Sequence, residues 1–189
     1  MTIFQIIMLG ASAYFAFRIY EHIQTLQDPY PESDDSQPSS FDPKVLVEKA
    51  NEAFEEGDLQ RSLALFLEAD AKEPQDGEIL FKTGYILENL GDKNEALNYY
   101  KRALDKDSAN EYIHNSIASI YRANEEFASA KMHLNASLDI NDKNPITYYN
   151  YGNLLVDMKH IDEAKEMYKK AVEIDPDFKQ AQEELKKLA

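Results

Sequence analysis

The 189-residue chain contains no cysteine. Disulfide bonds, a thiolate nucleophile, cysteine-based metal sites and a lipoprotein-type cysteine anchor are therefore excluded. Basic residues are also scarce, because 20 lysines and arginines stand against 35 aspartates and glutamates, and the formal net charge is −15 at pH 7. Such a surface is unsuited to the phosphates of nucleic acid and to an anionic lipid surface. The composition predicts no nucleic-acid partner and favours a basic or neutral one.

Motifs that mark an enzyme are missing as well. The chain has no glycine-rich phosphate loop, no nucleophile elbow and no HExxH zinc motif. The four histidines lie far apart and none has a second ligand at a metal-binding spacing: His22, His114, His133 and His160. Acidic residues alternate with lysine and arginine, as on a solvated surface. The sequence therefore predicts a protein that is not an enzyme and that holds neither a cofactor nor a metal ion.

What the sequence does contain is a 34-residue period. Residues 145–176 have apolar residues at helical spacing on both sides of a short turn near Lys159, which predicts two amphipathic helices. The same pattern begins at Glu111, Gly77 and Pro43, with no insertion between copies. Because a single helical hairpin cannot bury its own apolar face, we expect the four copies to stack side by side.

Residue size is sorted into columns when the four units are aligned. Three columns, the eighth, twentieth and twenty-seventh residues of each unit, contain only small residues, whereas the twenty-fourth contains large ones. Small residues let helices approach closely, and large residues fill the space between them. The small columns are Ala50, Gly84, Ala118 and Gly152; Ser62, Ala96, Ala130 and Ala164; and Ala69, Ala103, Ser137 and Ala171, and the large column is Phe66, Tyr100, Leu134 and Tyr168.

The fourth unit in particular resembles the tetratricopeptide repeat, a 34-residue helix-turn-helix motif. The residues that carry the resemblance include Gly152, Leu155, Ala164, Tyr168 and Pro176. The resemblance implies an all-α fold, an α-solenoid of four repeats that cover residues 43–76, 77–110, 111–144 and 145–178. The resulting domain would extend over residues 43–189.

Residues 179–189 follow the last repeat and are predicted to form a capping helix. Phe178, Ala181, Leu185 and Leu188 fall on one face, and the other positions of this segment are mostly polar or charged. Such a helix would cover the exposed apolar face of the fourth repeat, as stacked repeats require. The alternative is that it mediates dimerisation.

Residues 1–27 are predicted to form an N-terminal transmembrane and juxtamembrane helix. The stretch 2–20 is mostly apolar and would span roughly 28 Å as a helix, enough for a bilayer core. A cleaved signal peptide is one alternative, because Ala11-Ser12-Ala13 resembles a cleavage site, although no lysine or arginine precedes the apolar run. A soluble amphipathic helix is another. Ser12 and Ala16 provide a small-residue face through which membrane helices could associate into a homo-oligomer.

The chain is predicted to be a single-pass protein that is located in a bacterial-type inner membrane. Arg18 lies on the C-terminal side of the apolar stretch, which favours the repeats on the cytoplasmic side. Residues 28–42, rich in proline, serine and acidic residues, are predicted to be a disordered acidic linker. As a coil of this length the linker would span roughly 20 Å, so the repeats would stay close to the membrane.

The family resemblance also implies a concave groove, formed by residues 2, 5, 9 and 12 of each unit. Glu88, Ser119 and Ile146 occupy such positions. Aromatic rings offer stiff contact area and asparagine amides can pair with a peptide backbone, so this surface suits a peptide or a helix. The residues predicted to bind a partner there are Asn51, Phe81, Tyr85, Tyr112, Asn115, Arg122, Tyr149 and Asn153.

Members of the family that bind chaperones hold a partner's terminal carboxylates with lysine, asparagine and arginine side chains. Here Val47, Tyr112 and Ser116 stand where cations would be needed, so an acidic C-terminal tail is disfavoured. The sequence thus predicts a membrane-anchored scaffold or adaptor that binds a protein segment in its groove. The alternative is a holdase-like envelope chaperone that binds unfolded segments without sequence preference.

Overall fold

The computed structural model describes residues 42–74 and 76–188, and this part of the chain contains nine α-helices and no strand. The helices are α1 Pro43–Glu55, α2 Leu59–Lys72, α3 Gly77–Asn89, α4 Lys93–Leu104, α5 Glu111–Ala123, α6 Phe127–Ile140, α7 Pro145–Asp157, α8 Ile161–Ile174 and α9 Lys179–Lys187. The predicted transmembrane helix and nearly all of the predicted linker lie outside the described residues. Within them, no helix combines the length and apolar character needed to cross a membrane.

The first helix of every hairpin begins after an aspartate or asparagine whose side chain caps it. The carboxylate oxygen of Asp42 accepts a hydrogen bond from the Lys44 backbone N–H at 2.8 Å, and Asp76 accepts one from that of Ile79 at 2.9 Å. Asn110 and Asn144 make equivalent bonds in the third and fourth units. These residues satisfy N–H groups that have no partner inside the helix, which explains why α1, α3, α5 and α7 start 34 residues apart.

Each hairpin turns at a residue in the left-handed backbone region. Gly57 and Gly91 have φ angles of 80° and 89°, and the corresponding residues Glu125 and Lys159 have φ angles of 62° and 66°. Glycine adopts this conformation at no steric cost, whereas glutamate and lysine do not. The turns of the third and fourth units therefore share the left-handed conformation of the first two, although they lack the glycine that usually indicates it.

The predicted size columns meet in the core. All twelve small residues and all four large residues of these columns are buried. Within a unit the two helices pack against each other, and the second helix packs against the first helix of the next unit. The prediction of an all-helical solenoid of stacked hairpins is confirmed for the described part of the chain.

Glycine and tyrosine are paired across the two helices of a hairpin. A Cβ atom added to Gly84 would lie 2.8 Å from ring atom Cδ1 of Tyr100, and one added to Gly152 would lie 2.7 Å from Cδ1 of Tyr168. The corresponding residues are alanine in the first and third units, where the large residue is phenylalanine or leucine. The close approach also places the Tyr168 hydroxyl 2.7 Å from Oδ1 of Asn153, to which it donates a hydrogen bond.

Helix α9 lies against the last hairpin. Ala181 is buried, and Leu185 and Leu188 pack onto the core that Leu155 and Tyr168 form in the fourth unit. The apolar face of this helix therefore covers apolar surface of the fourth unit, and no comparable helix follows it among residues 42–74 and 76–188.

Candidate partner-binding groove

The first helices of the second, third and fourth units line an open cavity of about 390 Å³, here called the central groove. Helices α3, α5 and α7 contribute to it because the stacking places first helices next to one another, and α5 contacts α7 directly. Its lining residues are Phe81, Tyr85, Glu88, Asn89, Tyr112, Asn115, Ser116, Ser119, Ile146 and Asn150.

Large apolar side chains in the central groove remain exposed to solvent. The exposed fractions are 45% for Tyr85, 52% for Tyr112 and 42% for Ile146. Aromatic contacts hold part of this wall in place, since the Tyr85 ring lies 5.7 Å from that of Phe54 and the Phe81 ring lies 5.7 Å from that of Tyr100. Exposed apolar side chains on rigid helices offer contact area at a small cost in entropy.

Among the described residues that line the central groove, Glu88 carries the only carboxylate. Its Oε2 atom accepts a hydrogen bond from the Tyr100 hydroxyl at 2.8 Å. Burial raises the pKa of Glu88, whereas the Tyr100 hydrogen bond and the charge of Lys93 lower it. Burial and the neighbouring charge of Glu88 raise the pKa of Tyr100, so this phenol stays protonated and acts as the donor.

Four of the eight predicted groove residues line the central groove. Phe81, Tyr85 and Tyr112 present ring surface to it, as the repeat positions imply. Asn115 also borders it but is only 5% exposed, and its amide is used inside the protein. The amide nitrogen donates to the hydroxyls of Ser137 at 2.9 Å and Thr147 at 2.8 Å. Asn115 is therefore placed to connect the third and fourth units rather than to meet a peptide backbone.

The other four predicted residues are not part of this lining. Arg122 forms an ion pair with Asp157 across α5 and α7, with a distance of 2.6 Å between nitrogen and oxygen. The Tyr149 ring packs 5.3 Å from the ring of Phe178. Asn153 accepts the hydrogen bond of Tyr168 described above, and Asn51 lies half-buried on α1. Three of the four thus have partners within the protein.

Three groove residues lie outside positions 2, 5, 9 and 12 of their units. Asn89, Ser116 and Asn150 each follow a groove position directly in the sequence and add polar atoms to the lining. The amide nitrogen of Asn89 donates to the backbone oxygen of Tyr85 at 2.7 Å, and that of Asn150 donates to Oδ1 of Asn115 at 3.1 Å. These three residues line the groove because it is wider than the helix face formed by the predicted positions. Counting positions within a unit does not predict the width of the groove.

Two histidines form a pair on the third hairpin, away from the central groove lining. The Nδ1 atoms of His114 and His133 are 3.0 Å apart, so the N–H of one ring donates a hydrogen bond to the ring nitrogen of the other. Burial lowers the pKa of both, in His133 to about 4 with a further contribution from its partner and from Lys101. Across residues 42–74 and 76–188, no three histidine, aspartate or glutamate side chains are placed to hold a metal ion together.

Comparison with known proteins identifies the repeated unit. Residues 47–111 and residues 146–178 each match a family profile described as the tetratricopeptide repeat, and together these segments cover about half of the chain. The chain belongs to the tetratricopeptide repeat family. The hairpins within residues 47–111 and 146–178 therefore match this repeat in sequence.

Similar proteins include components of larger assemblies. This tetratricopeptide repeat protein is 30% identical over 122 residues to the BBSome complex member BBS4 of Mus musculus. The aligned stretch covers 65% of this chain and 23% of the mouse protein, so the chain spans less than a quarter of that relative.

Two similar solved structures are tetratricopeptide repeat proteins described by their peptide binding. One is the first TPR of Spaghetti (RPAP3) bound to the HSP90 peptide SRMEEVD, with 26% identity and a TM-score of 0.57, covering 60% of this chain and 90% of that one. The other is YrrB, a TPR protein with an unusual peptide-binding site, with 19% identity and a TM-score of 0.66, covering 77% of this chain and 75% of that one. At 19% identity, the similarity to YrrB shows a shared fold.

Proposed function

We propose that this tetratricopeptide repeat protein is a non-enzymatic scaffold that binds a short segment of a partner protein in the central groove. The observation that carries the proposal is the open cavity of about 390 Å³ in which Tyr85, Tyr112 and Ile146 each expose more than 40% of their surface. Large apolar side chains that remain exposed around one cavity of a folded protein are typical of an interaction site. The peptide bound to the first TPR of RPAP3 supports a peptide as the occupant.

The bound segment differs in charge from the acidic peptide of that relative. In the part of the chain that the structure describes, no lysine or arginine lines the central groove, and Arg122 is already paired with Asp157. Carboxylates need charge-assisted hydrogen bonds to repay their lost hydration. We therefore propose a segment whose contacts are mainly apolar and whose termini are not held by a cation clamp.

A double variant, Tyr112→Ala with Ile146→Asn, tests whether the central groove binds peptides. Binding of the full-length chain, purified in detergent, is measured on an array of random 15-residue peptides. We expect peptides retained by the wild type to lose about tenfold or more in affinity, because truncating central contacts of an interface costs about 2 kcal/mol. Both side chains are exposed, so the midpoint of thermal unfolding should change little.

The matched control is Met132→Ala, which removes an exposed apolar side chain of α6 outside the groove. Its binding profile should equal that of the wild type. Unchanged peptide binding by the groove variant would contradict the proposal. Indiscriminate competition by unrelated denatured proteins would point instead to a chaperone that holds unfolded segments.

We propose further that residues 1–27 anchor the repeats to a membrane and that residues 28–42 act as a tether, with the repeats on the cytoplasmic side. The proposal is supported by the apolar run 2–20 and by the position of Arg18. An anchor would raise the effective concentration of the repeats near a membrane-bound partner. The full-length chain should stay in the membrane pellet after carbonate extraction, whereas a variant lacking residues 2–20 should be released. Release of both forms would contradict an anchor.

A further inference from the structure

The charge and shape of the central groove point to the chemistry of its occupant. We infer that the groove selects a segment with an arginine or lysine between apolar residues, the cationic group seated against Glu88 and the apolar residues against Tyr112 and Ile146. This inference rests on the proposed function, because it assumes that the groove takes a peptide.

Glu88 occupies a position from which it can receive a cation. It lies in the last turn of α3 and lines the same cavity as the Tyr85 and Tyr112 rings. Its hydrogen bond with the Tyr100 hydroxyl uses Oε2, and no lysine or arginine nitrogen lies within 4.0 Å of it in the part of the chain that the structure describes. The Oε1 atom is therefore available to a ligand.

Neighbouring charges on the helices of the groove are largely balanced within the protein. Lys82 is paired with Glu78 at 2.7 Å, and Arg122 is paired with Asp157 at 2.6 Å. Lys93 affects Glu88 only from a longer distance, by lowering its pKa. The carboxylate of Glu88 is thus a negative charge without an ion-pair partner in a partly apolar surface.

A cation in the groove would relieve the cost of burying this carboxylate. Removing a carboxylate from water is unfavourable unless it is paired, and the burial that raises the pKa of Glu88 has the same origin. The guanidinium group of arginine is weakly hydrated and planar, and it stacks on aromatic faces. The Tyr85 and Tyr112 rings offer such faces in the same cavity, so arginine fits better than lysine.

The experiment uses an array of peptides of sequence Gly-Leu-Ala-Xaa-Ala-Leu-Gly, in which Xaa is arginine, lysine, citrulline, leucine or glutamate. Citrulline has nearly the shape of arginine without its charge. We expect the full-length chain in detergent to bind the arginine peptide about tenfold more tightly than the citrulline peptide, and the glutamate peptide most weakly. The preference should shrink as salt is raised, because salt screens the attraction.

The variant Glu88→Gln removes the charge and keeps an oxygen that can accept the Tyr100 hydrogen bond. It should bind the arginine and citrulline peptides equally. The control Glu95→Gln removes one negative charge from an exposed position of α4 and should keep the full preference.

Other outcomes separate this inference from the proposed function. Equal binding of all five peptides by the wild type would overturn the charge preference and leave apolar peptide binding intact. A preference for glutamate, or a preference for arginine that persists in Glu88→Gln, would overturn the inference as well. If the wild type binds no peptide of this array or of the random 15-residue array more strongly than Tyr112→Ala with Ile146→Asn does, the inference and the proposed function both fail.

Discussion

Replacing Gly152 with alanine is expected to lower the free energy of unfolding by about 2 kcal/mol or more. The new Cβ atom would lie 2.7 Å from Cδ1 and 2.8 Å from Cζ of the buried Tyr168 ring, which is closer than such atoms approach in proteins. The Tyr168 ring is only 1% exposed and its hydroxyl donates a hydrogen bond to Asn153, so the ring cannot move aside without losing that bond. Urea denaturation followed by circular dichroism measures the change.

A second substitution should restore part of this loss. In the third unit the same two positions are Ala118 and Leu134, and both are buried. Combining Gly152→Ala with Tyr168→Leu recreates that pair in the fourth unit, and the double variant should be more stable than the sum of the single effects predicts. Strict additivity would mean that the two residues are not in steric conflict.

Adding a methyl group at a less crowded glycine is the control. In Gly77→Ala the nearest atom would be Cβ of Lys106 at 3.3 Å, at the start of α3, and this substitution should change the free energy of unfolding by less than about 0.5 kcal/mol. A loss as large as that of Gly152→Ala would show that any added bulk on a first helix is destabilising.

Replacing Asn115 with alanine is expected to weaken the connection between the third and fourth units by about 2 kcal/mol. The amide nitrogen of Asn115, which carries two N–H groups, lies within hydrogen-bond distance of the backbone oxygen of Glu111 and the hydroxyls of Ser137 and Thr147, and its Oδ1 atom accepts from Asn150. Alanine would leave these buried groups with fewer partners, and buried polar groups without partners are costly.

Hydrogen exchange of the Asn115→Ala variant measures which helices lose stability. Because repeats are held together by contacts with their neighbours, protection should drop most in α7, α8 and α9. The control Asn98→Ala removes an exposed asparagine from α4 and should leave exchange unchanged. An even drop across residues 43–188, or none, would contradict a local connecting role for Asn115.

The positions of the hairpins could be predicted from the sequence because the signal repeats. An isolated aspartate is weak evidence for the start of a helix, but Asp42 and Asp76 stand 34 residues apart and cap equivalent helices. Gly57, in contrast, indicates a turn by its residue type. Glu125 and Lys159 do not, and only the period predicts that they share its conformation.

The groove could be predicted less well. Whether a side chain is free to bind a partner depends on contacts with residues of this chain that lie far away in the sequence. Asn115 stands at a groove position, yet its amide is held by Ser137 and Thr147, 22 and 32 residues further on. Arg122 is likewise held by Asp157, 35 residues away. A count within one unit assigns a side chain to a face but does not show whether its hydrogen bonds are already made.

The caps at the repeat boundaries have a consequence for how this array can change in length. Asp76, Asn110 and Asn144 each end one 34-residue unit and start the next helix, with no linker of variable length between units. A unit duplicated at one of these boundaries would bring its own capping residue. After a duplication or a deletion, the first helix of every following unit would still have an aspartate or asparagine cap. Evolution, or an engineer, can therefore extend the binding surface in whole-unit steps without designing a new loop.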